Sequence, residues 1–253
     1  MVHLELPLLS IEGINWLAQN NKIDGLYLDD IAFSRTTVKR IANVFDKHRD
    51  SFVIDLHSAN QFNHNDGFIN SAFLYMEHFP YISRLWFGEY FEYDLAPDYW
   101  LVEVSGIPFG LTGEMLEKGG HPYRGLVFGM TTRVYHTYNP QALWKLFDEF
   151  DMANSEMSGY WVDESPIKTN TKNIKSTIYS NQDKVLIAIG SWSAKDERVP
   201  LKIDWKALGI DKKSVRLISP EIKGLQNFNT FEIDKPIPIE KNNGLILILE
   251  TKK

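Results

Sequence analysis

Apolar residues recur at two different spacings along this chain, and the change falls near residue 166. Before it, helical patterns alternate with short apolar runs. The stretch IEGINWLAQN (11–20) places Ile11, Ile14, Trp16 and Leu17 at helical spacing. Residues 23–29 then read as a strand, with Ile23, Leu26, Tyr27 and Leu28 apolar inside a sheet. TTVKRIANVFDKHR (36–49) gathers Val38, Ile41, Ala42 and Phe45 on one helical face. SFVIDLHSAN (51–60), SRLWFGEYF (83–91), RGLVFGMTTR (124–133) and EMSGYW (156–161) each predict a strand. NPQALWKLFDEF (139–150) predicts a helix, with Asn139 as N-cap and Pro140 in its first turn. Such alternation is the pattern of βα units around a parallel sheet.

From residue 167 the spacing shortens. KSTIYSNQDKVLIAIGSWS predicts two strands around an Asn-Gln-Asp turn, and RVPLKIDW, SVRLISP, NTFEIDK and GLILILE follow at the interval of an antiparallel sandwich. The expected fold is therefore α/β plus all-β: a (β/α)8 barrel part at 1–166 and a β-sandwich at 167–253. The barrel is expected to be incomplete. A (β/α)8 barrel needs about 250 residues, and only five candidate strands precede residue 167. The opening helix has no strand before it, which points to the C-terminal part of a barrel and to a truncated chain. The exposed edge of such a part-barrel is a site for self-association.

The composition narrows the partners. The 253 residues carry a net charge of −6 with no basic stripe, which argues against nucleic acid. No run approaches the roughly 18 apolar residues of a membrane span, so no membrane partner is expected. No cysteine is present, which removes thiol catalysis, disulfides and Cys-based zinc sites. Aromatic residues make up 13%, with seven Trp, enough to line a site that stacks on flat ligand faces. The opening lacks the features of a signal peptide. The compartment stays undetermined, periplasmic or secreted if an N-terminal part is missing.

Catalytic groups of parallel α/β sheets gather at the carboxyl ends of strands. Those ends hold Asp29 and Asp30, then Asp55 and His57, then Glu89, then Arg133, then Trp161 with Asp163. Intervening loops add Asn60, Glu77, His78, Glu92, Asp94 and Glu103, with Tyr75, Trp86, Tyr90, Tyr93 and Trp100 nearby. Acids among aromatics suit carbohydrate: sugar rings stack on aromatic faces, and glycosidic cleavage needs two carboxylates about an oxocarbenium-like centre. Adjacent acids raise one another's pKa, which keeps a general acid protonated. Each residue also has a structural alternative. Asp24 is a turn or strand-edge residue, Asp30 an N-cap or a partner of Arg35, and Asp55 with His57 a buried hydrogen-bonded pair. Glu77 and His78 could face solvent, and Trp86, Trp100 and Trp144 could be core. Repetition of acids at successive strand ends favours chemistry.

No phosphate-binding glycine loop, H-E-x-x-H, G-x-S-x-G or dinucleotide fingerprint occurs. No cofactor and no metal is expected. A metal-dependent hydrolase using Asp29, Asp55, His57 and His78 is the second enzyme class, and a non-catalytic or vestigial sugar-binding protein is a third.

The stretches IDGLYLDDIAF, IDLHSANQFN, LYMEHFPYISRLWFGEYF, WLVEVSGIPFGLTGEML and RGLVFGMTTR resemble the catalytic region of bacterial glycoside hydrolases close to family 123. GSWSAKDERVPLKIDWKALGI resembles the β-sandwich that follows such barrels. The resemblance implies a glycosidase of oligosaccharide or glycan substrates that acts on N-acetylhexosaminides with substrate assistance. The 2-acetamido oxygen attacks the anomeric carbon, one acid orients that amide, and its neighbour protonates the leaving oxygen. Family 123 carries an Asp-Glu pair where this chain has Asp29-Asp30, and related hexosaminidases use Asp-Asp. The resemblance assigns amide orientation to Asp29 and acid/base work to Asp30. The alternative pairs either of them with Glu89 as nucleophile and acid. Asp55, His57, Asn60, Glu77, His78, Trp86, Arg133 and Trp161 are the expected substrate contacts.

Overall fold

The computed structural model describes residues 5–29, 33–57, 76–88, 91–100, 111–113, 115–134, 139–182 and 184–252. The chain forms two compact units, Met1–Phe91 with Val102–Gly113, and Glu92–Leu101 with Glu114–Lys253.

The first unit opens with helix α1 (Glu5–Asn20), strand β1 (Gly25–Asp29), helix α2 (Arg35–His48) and strand β2 (Val53–His57). A 3-10 helix (Met76–Tyr81), β3 (Arg84–Gly88) and β4 (Leu111–Gly113) follow. The four strands lie side by side in chain order and run parallel. Helix α2 begins where Ser34 accepts a hydrogen bond from the Thr37 N–H at 3.3 Å. Its last turn carries Lys47 and His48, which suit the negative end of the helix dipole. Val38, Ile41, Ala42 and Phe45 are buried, as their spacing predicts. Arg49 ties the end of α1 to the start of β1, donating to Ala18 O at 2.5 Å, Ile23 O at 2.9 Å and Asp24 at 3.1 Å. Asp24 is thus a strand-edge ion-pair residue.

Strand register sorts the side chains onto two faces. Leu28 pairs with Leu56 and Leu56 with Leu85, so Leu28, Ile54, Leu56 and Leu85 share one buried apolar face. Tyr27 pairs with Asp55, Asp29 with His57 and Asp55 with Arg84. The opposite face therefore carries Tyr27, Asp29, Asp55, His57, Arg84 and Trp86.

The second unit departs from expectation at two places. RGLVFGMTTR is mostly helical: α3 spans Pro122–Val127, and only β5 (Met130–Thr131) is extended. Pro122 presets the first turn, His121 caps it by accepting from the Arg124 N–H at 3.1 Å, and Gly129 turns the chain at φ 77°. A short apolar run fits a buried helical turn as well as a strand. Helix α4 (Gln141–Phe150) follows, with Pro140 at its cap position and Asn139 accepting from the Gln141 N–H at 2.9 Å. EMSGYW is the second correction. Strand β6 (Glu156–Ser158) is antiparallel to β8 (Ile174–Asn181) and forms the edge of a different sheet.

That sheet has six antiparallel strands in the order β13-β12-β15-β9-β8-β6, where β9 is Lys184–Ser191, β12 Val215–Ser219, β13 Asn229–Phe231 and β15 Gly244–Thr251. Two ribbons accompany it: β7 (Ile167–Lys168) with β11 (Lys202–Ile203), and β10 (Glu197–Val199) with β14 (Ile237–Ile239). Ile178, Ile187, Ile189, Leu217, Leu247 and Leu249 of the sheet form one core with Ile167, Val199, Ile237 and Ile239 of the ribbons. The reverse face receives α3: Thr177 donates to Val127 O at 2.6 Å and Tyr179 to Leu126 O at 2.5 Å. Burial on both faces explains why LILIL (245–249) is apolar at every position. It also explains why the compact units do not divide at residue 166, since α3 is fastened to the sandwich sheet.

Candidate functional site

Parallel pairing of β1 and β2 brings Asp29 beside His57 at their carboxyl ends. The Asp29 carboxylate lies 3.0 Å from His57 Nδ1, and the Tyr27 hydroxyl lies 2.5 Å from the same nitrogen. Trp86, one strand further, sets its ring 3.9 Å from the imidazole, centroid to centroid, at 31°. Trp86 is buried and forms the wall against which His57 rests. The Asp29 side chain is 57% exposed and the His57 side chain 9%. The carboxylate therefore meets solvent while the ring that holds it does not.

The Asp29 contact assigns the proton of the ring, and the Tyr27 hydroxyl, able to donate or to accept, adapts to it. A carboxylate only accepts, so contact with Asp29 requires a proton on Nδ1. In the neutral imidazole that leaves Nε2 with a lone pair. Nε2 is buried and has no hydrogen-bond partner among the described residues. An unmatched buried ring nitrogen costs free energy unless a ligand meets it. In this tautomer Nε2 would accept a hydrogen bond, for which a sugar hydroxyl is a suitable donor.

Asp55 has a different part. Its Oδ2 receives Arg84 Nη2 at 2.5 Å and Nε at 3.0 Å, a two-point ion pair across β2 and β3. The pair lies two residues below Asp29 and His57 on the same face and fixes the register of those strands. Its Oδ1 is buried without a partner. Glu77 and His78 belong to the 3-10 helix. Glu77 is exposed, and His78 is buried 3.6 Å from it. Burial lowers the His78 pKa, with the Glu77 charge and a backbone hydrogen bond to Phe33 opposing. Among the described residues no group of three or more His, Asp and Glu side chains is arranged to hold a metal ion.

Asp30, Asn60 and Glu89 lie outside the described residues, as do Tyr75, Tyr90 and Glu103. Arg133 follows β5, and Trp161 follows β6 in the sandwich sheet, so both belong to the second unit. Trp161 packs edge-on against Tyr160 at 5.1 Å instead of ending a barrel strand. The sequence pattern passed over Tyr27 and Arg84. Tyr27 was expected inside the sheet and is 47% exposed. It stands two residues before Asp29, the strand interval that sets both side chains on one face, and that spacing was visible in the sequence.

Two family models cover the chain. The glycoside hydrolase 123 TIM-barrel domain matches residues 8–135, and the glycoside hydrolase 123 C-terminal domain matches residues 139–250. Among curated proteins no sequence matches this chain. Solved structures share the fold at low identity. The α-amylase of Geobacillus thermoleovorans, complexed with acarbose, aligns with a TM-score of 0.59 at 10% identity over 98% of this chain and 65% of that one. The maltogenic α-amylase AmyB of Thermotoga neapolitana aligns with a TM-score of 0.58 at 10% identity over 98% and 66%. An Anoxybacillus α-amylase gives 0.56 at 11% identity over 98% and 64%. The chain thus spans just under two-thirds of the length of these structures. With a parallel sheet followed by an antiparallel sandwich, and with both family models matching in that order, the chain belongs to glycoside hydrolase family 123.

Proposed function

We propose that this protein is a glycosidase whose reaction centre lies at the carboxyl ends of β1 and β2, and that it cleaves N-acetylhexosaminides with help from the substrate. In this proposal the sheet of the first unit is the C-terminal part of a (β/α)8 barrel. The 2-acetamido oxygen attacks the anomeric carbon as the glycosidic C–O bond breaks, and Asp30 delivers a proton to the departing oxygen. Asp29 accepts the amide N–H, which raises electron density on the attacking oxygen. Water then opens the bicyclic intermediate, with Asp30 taking its proton. His57 holds Asp29 through Nδ1 and offers Nε2 to a sugar hydroxyl. One observation carries the reading: Asp29 is fixed at the mouth of the sheet by a buried histidine whose other nitrogen is unmatched.

The test is turnover of aryl β-N-acetylgalactosaminide, β-N-acetylglucosaminide and β-glucoside by the protein and by Asp30→Asn. Cleavage confined to the acetamido sugars and lost in the variant is the expected result. Cleavage of the β-glucoside at a similar rate would replace it with an ordinary two-carboxylate mechanism using Glu89.

A further inference from the structure

The second unit contains a hollow of about 370 Å3 beside β7 and β8. Its lining includes Tyr160, Asn170, Thr171 and the three lysines of the stretch KTNTKNIK, Lys168, Lys172 and Lys175. Three positive charges within eight residues stand out in a chain whose net charge is −6. Among the described residues none of the three forms an ion pair. Lys168 Nζ donates to the Asp163 carbonyl at 2.6 Å, and Lys175 Nζ sits 5.4 Å from the centre of the Tyr160 ring. Lys172 is exposed. Three ammonium groups around one hollow repel one another, and an anion placed among them relieves that repulsion.

The walls are held in place. Thr169 donates to Ile174 O at 2.5 Å and Thr171 to Thr169 O at 3.1 Å, closing the turn between β7 and β8. The Tyr160 hydroxyl donates to Pro97 O at 2.8 Å, which anchors the ring by its far end. The acids near this region are Asp98, whose carboxylate faces the Tyr160 hydroxyl, and Asp163 and Glu164 in the preceding turn.

The geometry points to a second saccharide site here, one that takes an anionic sugar bearing sulfate or a carboxylate. Lysines act as point charges toward such groups. The Asn170 amide and the Thr171 hydroxyl match sugar hydroxyls, and the Tyr160 ring holds the Lys175 ammonium at the rim of the same hollow. The volume suits a small ligand. A nucleic-acid track would need successive stacking rings along an extended basic groove. This inference goes beyond the glycosidase proposal and does not depend on Asp29 or Asp30.

Calorimetric titration of the full chain tests it, with a chondroitin sulfate hexasaccharide, a hyaluronan hexasaccharide and neutral chitohexaose as probes. The triple variant Lys168→Gln/Lys172→Gln/Lys175→Gln is titrated alongside. Binding of a charged probe that weakens with salt and falls about tenfold in a triple variant of unchanged melting temperature is expected. The sulfated and carboxylated arms show which anion the site prefers. If the triple variant melts early, Lys172→Gln at its exposed position must still show a smaller loss. Absence of binding by both charged probes, equal binding of chitohexaose, or an unaltered triple variant would overturn the proposal. So would equal competition by an oligothymidylate of matched charge, which would make the hollow a nucleic-acid site.

Discussion

Arg124 in the second unit and His57 in the first are buried to a similar degree, and their hydrogen bonding differs completely. Arg124 donates from Nε and Nη2 to Ser191 O at 3.0 and 2.7 Å, and from Nη1 to Tyr93 O at 2.9 Å and Asp94 at 2.5 Å. Trp192 covers its plane at 4.8 Å. Burial pulls its pKa down and the Asp94 contacts push it back. Among the described residues His57 is engaged by hydrogen bonding at Nδ1 alone. A buried charge with its donors met fixes packing, whereas a buried nitrogen left unmatched keeps its capacity for a ligand. Burial does not separate these two residues; the extent of their hydrogen bonding does.

That contrast sets the size of the expected effects. Arg124→Met leaves two backbone carbonyls and Asp94 without their donor. Asp94 is solvent-exposed, so the cost comes from the two carbonyls, and it is expected to be about 2–4 kcal/mol in denaturant unfolding of the full chain. His57→Phe keeps a ring against Trp86 and removes the unmatched nitrogen. Stability should change by less than about 1 kcal/mol, while turnover of the preferred aryl glycoside falls about 10²-fold. If both variants simply unfolded, the distinction between the two sites would be lost.

His121 gives a pH dependence. Its Nδ1 accepts from the Arg124 N–H and its Nε2 donates to Asn242 O at 3.1 Å, so the neutral ring is the one that caps α3. Burial first, and the Arg124 charge second, lower its pKa to about 4. The folded state therefore binds fewer protons than the unfolded state between pH 6.5 and about 4. Stability is full above 6.5, declines as pH falls through that window, and levels off below it. The slope should not exceed about 1.4 kcal/mol per pH unit. His121→Gln, measured in parallel melts, should remove that component. The smallest effect is expected for Tyr27→Phe, which deletes one hydroxyl at Nδ1. Turnover should fall by less than about tenfold, with the larger share in kcat, since Asp29 still orients the ring.

Much of the first unit was legible because its elements are pure types. The helix at 36–49 and the strands ending in Asp29 and His57 stand where the pattern set them: α2 buries one face only, and both strands keep their polar residues on one side of the sheet. The second unit was harder to parse. RGLVF is buried all round because α3 is packed against the sandwich sheet, and that burial erases the periodicity that tells helix from strand. EMS has too few residues to reveal which sheet it joins. At the site, Asp29 and His57 were legible as strand ends, while the Asp55–Arg84 pair required the β2–β3 register, which no local pattern contains.

The most direct test is turnover of aryl β-N-acetylhexosaminides by the protein and by Asp29→Asn, with melting of both followed alongside. Asn retains an oxygen for His57 and loses the charge. The expected result is an unchanged fold and a loss of at least about 10²-fold in kcat. A well-folded Asp29→Asn variant that turns over as fast as its parent would contradict the assignment of this site, as would a well-folded parent that cleaves no glycoside.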